Sequence, residues 1–119
     1  LLTVARGVSL SGTGDVALMP IINASSWVGA TVLTANGQVS GVPGSIASAS
    51  IGIFTAAASG GTAIKTQAAL AANSVAGSAI AIASANVVLA FTAVNLFLNV
   101  GTALANATVD VFVYGYDLS

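Results

Sequence analysis

Val94-Asn95-Leu96-Phe97-Leu98-Asn99-Val100 and, after eight intervening residues, Val109-Asp110-Val111-Phe112-Val113-Tyr114 are the most regular stretches of this chain. In each, aliphatic side chains fill every second position, the pattern of a strand with one face in a core. Paired antiparallel across residues 101–107, the two stretches set Leu96 against Val113, Leu98 against Val111 and Val100 against Val109. Behind them Phe97 meets Phe112 and Asn99 meets Asp110. One register satisfies both faces, and a slip by one residue would turn every aliphatic side chain outward. The expectation is a hairpin with its aliphatic face in the core. Its other face carries Phe97, Phe112 and Tyr114 among polar groups, either as cross-strand aromatic pairs that stabilise the sheet or as a contact patch for another subunit.

Moving outward, residues 51–56 and 63–70 read as a second hairpin, turned by Ser59-Gly60-Gly61, which tolerates positive φ. That pairing sets Ile53 beside Thr66 and Thr55 beside Ile64, with Phe54 and Lys65 on the opposite face. Residues 27–35 alternate up to Asn36-Gly37, a dipeptide suited to tight hairpin turns. Residues 8–10 and 16–22 flank the turn-like run Ser11-Gly12-Thr13-Gly14-Asp15. Residues 39–49, with Gly41, Pro43 and Gly44, read as an irregular connection tolerant of insertion. Residues 79–83 and 87–93 add short apolar strands, and Ala-rich residues 68–72 compete as a helical turn. Short strands punctuated by turn residues about every 8 to 15 positions predict an all-β chain, a single antiparallel β-sandwich of jelly-roll type forming one domain over residues 1–119.

Composition narrows the chemistry. Of 119 residues, 56% are hydrophobic and only 4% charged, and the chain has no His and no Cys. The charged side chains are Arg6, Asp15, Lys65, Asp110 and Asp117, with no Glu. Thiolate metal sites, disulfides, Cys nucleophiles and imidazole proton transfer are therefore excluded. Asp110 and Asp117, the nearest carboxylates in sequence, stand an odd number of residues apart, which places them on opposite faces of a strand. Gly60-Gly61-Thr62-Ala63-Ile64-Lys65-Thr66 superficially matches a phosphate-binding loop, but no Gly precedes Lys65, and a hairpin turn accounts for it. The expectations are no enzymatic activity, no cofactor and no metal. With two cations in the whole chain, nucleic acid is not an expected partner, since phosphate binding needs several Lys or Arg contacts.

A membrane reading competes, because residues 79–100 are apolar and no charge falls between Lys65 and Asp110. Against it stand Ser84, Asn86, Thr92, Asn95 and Asn99 within the stretch and the lack of flanking Lys or Arg. No basic-then-apolar leader opens the chain. Because the first residue is not Met, removal of an earlier segment, and hence secretion, stays open. So few charges imply a surface that is neutral and polar or one covered by neighbouring subunits.

The closing run Val109-Asp110-Val111-Phe112-Val113-Tyr114-Gly115-Tyr116-Asp117-Leu118, with the Ser59-Gly60-Gly61-Thr62 turn ahead of it, resembles small virion proteins of tailed bacteriophages. More narrowly, it is similar to jelly-roll head decoration, or cement, proteins. The resemblance covers residues 51–119 and, in the first third, only the run up to Gly14-Asp15. It implies a non-enzymatic virion protein on the outer surface of the capsid, often trimeric, bridging subunits of the major capsid protein. It carries over no catalytic residue. The interface candidates are Phe97, Phe112 and Tyr114, with Trp27 as a further anchor or a core residue. A tail, fibre or pilus-like subunit and a small membrane-inserted protein remain the alternatives.

Overall fold

The computed structural model describes residues 1–70, 78–81 and 91–119, with the backbone alone at 43 and 78–81. Among the described residues the strands are β1 (Thr3–Ser9), β2 (Gly14–Pro20), β3 (Trp27–Val39), β4 (Val42–Pro43), β5 (Ser50–Ala56), β6 (Gly60–Ala69), β7 (Ser78–Ala81), β8 (Asn95–Thr102) and β9 (Ala107–Asp117). They form two antiparallel sheets. The larger has the order β1-β9-β3, and the far side of β3 pairs with β7 at Thr31 to Thr34 and with β4 at Gln38 and Val39. The smaller has the order β2-β8-β5-β6. Inward residues of both sheets meet in one shared core. Val32, Val109, Val111 and Val113 come from the larger sheet; Met19, Ile51, Ile53, Leu96, Leu98 and Val100 come from the smaller. Each such side chain contributes about 1.5–3 kcal/mol on full burial. The chain is thus an all-β sandwich, and the order β1-β9-β3-β7 against β2-β8-β5-β6 fits a jelly roll.

Residues 95–100 and 109–114 do form strands, with Leu96, Leu98, Val100, Val109, Val111 and Val113 buried, whereas Val94 lies before β8 and is exposed. The two strands are not a hairpin. β8 lies in the smaller sheet between β2 and β5, and β9 lies in the larger sheet between β1 and β3, so Leu96 pairs with Met19 and Val113 with Thr3 and Val32. The physical reason is that two matching aliphatic faces meet as well across a core as along a ladder. Residues 103–106 suffice for the crossing, since four extended residues reach about 13 Å and packed sheets stand about 10 Å apart. The link from β1 to β2 crosses in the same way, and the two crossings are bonded together. Leu10 N–H donates to the carbonyl of Ala107 at 2.9 Å, Leu104 N–H to that of Leu10 at 2.8 Å, and Asn106 N–H to the Ser11 hydroxyl at 3.0 Å.

The expected β5–β6 hairpin is present. Its register matches the expectation far from the turn, where Ser50 pairs with Ala69 and Ile51 with Ala68. It slips through three irregularities toward the turn, placing Ile53 opposite Lys65 and Phe54 opposite Ala63. Asn36-Gly37 is not a turn. β3 continues through it with a bulge at Asn36 (φ 56°), and the chain reverses at Ser40-Gly41 (φ 54° and 78°), two residues that also accept the left-handed conformation. Residues 39–49 are no free loop either, because Ile46 and Ala49 are buried and the Ala49 carbonyl accepts Leu70 N–H at 2.8 Å. Ala68 and Ala69 belong to β6 rather than to a helical turn. Residues 79–81 fall in β7 and 95–100 in β8, whereas the rest of the two strands expected at 79–83 and 87–93 is outside the described residues, apart from the end at 91–93. No helix among the described residues is long and apolar enough to cross a membrane.

A candidate assembly face on the larger sheet

Because Val109, Val111 and Val113 point inward, Asp110, Phe112 and Tyr114 point outward along the central strand of the larger sheet. Tyr116, opposite Val28, continues the row and is 66% exposed. Aliphatic neighbours widen it. Phe112 is flanked by Val4 on β1 and Leu33 on β3, and Tyr114 by Thr31, all of them half-buried. The result is an aromatic stripe, Phe112, Tyr114 and Tyr116, with aliphatic margins. The strand register behind it depends on Gly115, where a Cβ would stand 2.1 Å from the Val28 carbonyl oxygen and 3.0 Å from Gly29 Cα.

A polar clamp closes one end of the stripe. The Asp110 carboxylate accepts Gly7 N–H from β1 and the Asn36 Nδ2 amide from β3, both at 2.7 Å. Both flanking strands are bulged at that level, and both bulges use a left-handed residue, Gly7 (φ 61°) and Asn36. One carboxylate therefore fixes two bulges. Burial pushes its pKa up, but the bonds from Asn36 and Gly7 and the charge of Arg6 outweigh this and hold it below the ordinary aspartate value. The Arg6 guanidinium lies 5.4 Å over the Phe112 ring, a cation–π contact.

The four residues expected at an interface are not brought together. Phe112 and Tyr114 share the stripe. Phe97 sits on the outer face of the smaller sheet, beside Leu18 and Phe54. The separation follows from β8 and β9 lying in different sheets. Trp27 is fully buried, stacked on Phe91 at 5.0 Å, with its indole N–H donating to the Ala93 carbonyl at 3.1 Å. It is a core residue and not an exposed anchor. Tyr116 is the residue the sequence reading missed; the signal was its spacing, two positions past Tyr114.

The outer face of the smaller sheet is different. Asp15 on β2, Asn99 on β8 and Gln67 on β6 form a bonded row: Asn99 Nδ2 donates to Asp15 Oδ1 and Gln67 Nε2 to Asn99 Oδ1, each at 3.0 Å. Gln67 spans Gly52 and Gly101, where a Cβ would come within 2.6 Å and 2.4 Å of its amide. The Asn99 bond, with a second from Ala58 N–H, lowers the Asp15 pKa.

The remaining charges stand apart. Lys65 is 2% exposed and its ammonium donates to the carbonyls of Ile51 and Thr66 at 3.2 and 3.0 Å; burial lowers its pKa. The Asp117 carboxylate accepts the hydroxyl and the N–H of Ser119, which lower its pKa. Among the described residues no cleft opens and no three acidic side chains gather as metal ligands. What the larger sheet offers is an exposed aromatic row with the Arg6 guanidinium over Phe112 and the Asp110 carboxylate at one end. No family model, no curated protein and no solved structure matches this chain.

Proposed function

We propose that this chain is a non-enzymatic assembly subunit that docks through the aromatic face of its larger sheet. In its most specific form it is a capsid decoration subunit, seated on the outside of a phage head, bridging major capsid proteins and contacting its own copies. The observation that carries this reading is the row Phe112, Tyr114, Tyr116 on a molecule with very few charged side chains. With Lys65 buried, only Arg6, Asp15, Asp110 and Asp117 share 5312 Å² of accessible surface. Desolvating a charged group costs several kcal/mol unless it is paired, whereas a neutral aromatic face gains on burial. Tyr and Arg are also enriched among the residues that dominate interface energetics. An interface of standard size takes about 800 Å² from each partner, so a capsid contact and a contact between copies both fit on this molecule.

The test is a binding titration of the purified chain against purified phage capsids, with sedimentation of the chain alone. Stoichiometric binding is expected, lost in Tyr114→Ser and Tyr116→Ser and kept in Phe97→Ser, which alters the opposite face. Filaments of the chain by itself would favour the tail, fibre or pilus-like alternative. A stable monomer indifferent to capsids, tails and its own copies would refute an assembly role.

A further inference from the structure

The tip of the β5–β6 hairpin does not stay in the plane of its sheet. Ala58, at the tip, donates its N–H to the Asp15 carboxylate at 2.8 Å, although β8 lies between β5 and the strand that carries Asp15. Asp15 also holds Asn99, an outward residue of β8, so the tip passes over the outer face of the smaller sheet. Three ladder irregularities between Ile51 and Ala56 bend the hairpin. The turn itself, closed by Gly60 N–H on the Ala57 carbonyl at 3.0 Å, holds Ala58 (φ 56°) and Ser59 (φ 59°) in the left-handed region that residues with a Cβ rarely occupy. Phe54 and Asn99, on the covered face, are each only 8% exposed. A strained backbone of this kind persists only where its surroundings over-determine it.

We propose that this tip is a strap, a two-state element that Asp15 holds shut over the smaller sheet and whose opening uncovers Phe54 and Asn99. Among the described residues, Asp15 is the only side chain of another strand bonded to the turn, so closure depends on one carboxylate. This inference is independent of the assembly role, since it concerns the opposite face.

Amide hydrogen exchange on the full chain at fixed neutral pH tests it, with Asp15→Ala compared with the unaltered protein. Exchange at Ala58 is expected to rise at least tenfold while Leu98 and Val111 stay protected. Unchanged exchange at Ala58 overturns the proposal, and so does acceleration of tip and core amides together, which would make Asp15 a general support. Ala58→Gly with Ser59→Gly, made with Asp15 intact, relieves the turn. It is expected to slow exchange at the tip several-fold, and no slowing there would equally count against a strained strap.

Discussion

The two outer faces of this sandwich are made of the same kind of alternating strand and reach opposite chemistry. On the smaller sheet the outward polar groups find one another: Asp15, Asn99 and Gln67 are bonded in a row, two glycines make room for it, and a hairpin tip folds across. On the larger sheet the outward groups include Phe112, Tyr114 and Tyr116, and the polar clamp there, Asp110, is engaged with the Gly7 N–H and the Asn36 side-chain amide of the flanking strands. A face whose hydrogen-bonding groups are mutually satisfied has little to offer a partner. A face of rings, whose attraction is non-directional, keeps that capacity until something covers it. The difference between the faces lies in which outward side chains can pair, since both carry charge: Arg6 and Asp110 on the larger sheet, Asp15 on the smaller.

The largest expected effect separates the faces by what stands in the way of an added methyl group. Gly115→Ala, behind the aromatic stripe, drives a Cβ into the Val28 carbonyl and Gly29 Cα, backbone atoms that can move only by breaking the β3–β9 register. A loss of about 3 kcal/mol or more is expected in urea unfolding. Gly52→Ala, on the other face, meets the Gln67 amide and the Phe54 ring, side chains that can rotate away, so a loss of about 1 kcal/mol is expected. Equal losses would erase the distinction.

Next comes Asp110→Ala, which removes two charge-assisted bonds and frees two bulges; a loss of about 2–3 kcal/mol is expected. Because the folded pKa is lowered, the part of this stabilisation that depends on the ionised carboxylate is fully present above the ordinary aspartate value and is lost as pH falls through the folded one. Asp110→Asn should flatten that acid limb in a urea titration repeated at several pH values. A limb of unchanged steepness would remove Asp110 from its cause.

Lys65 acts at the other end of the pH scale. Its folded pKa is lowered by burial, so the folded state binds fewer protons than the unfolded state between the two values, and stability rises with pH across that window. The slope is at most about 1.4 kcal/mol per pH unit, and Lys65→Met should abolish it. The smallest expected effects are gains. Thr3 and Thr34, on the strands flanking β9, have buried hydroxyls with no hydrogen-bond partner among the described residues. Thr3→Val and Thr34→Val should each raise stability by about 1 kcal/mol, and a loss instead would mean that the hydroxyls are satisfied.

The period of β8 and β9 was legible in the sequence, because inward and outward are decided by adjacent residues, whereas in β3 two bulges break the alternation and the first turns Trp27 and Val32 to the same side. Leu96, Leu98, Val100, Val109, Val111 and Val113 all point where alternation puts them. The neighbour of each strand was not legible, because the aliphatic face of β8 matches that of β9 whether the two lie side by side or in opposite sheets. That ambiguity carried into the site, joining Phe97 to Phe112 when they lie on opposite faces. Asn36-Gly37 misled for a related reason: left-handed residues serve bulges as well as turns, and only the contact with Asp110 distinguishes the two. Tyr116 could have been found by carrying the alternation past Gly115. The row linking residues 15, 67 and 99 could not, since it exists only once four strands are aligned.

The crossed links that bond Leu10 to Leu104 and Ala107 also govern how this chain reaches its native state. Gly7 meets Asp110 across 103 positions of sequence, and β9, a late strand along the chain, is the ladder partner of β1 and joins it to β3. Until residues 95–117 have emerged from the ribosome, β1 and β2 have no ladder to join. Topologies dominated by such distant pairings fold in about milliseconds to seconds, against microseconds for helical bundles. In that interval apolar strands with free edges are open to association with other unfinished chains. For a molecule with so few charges to keep such chains apart, yield should fall steeply with rising synthesis rate, and slowing translation or lowering temperature should recover it.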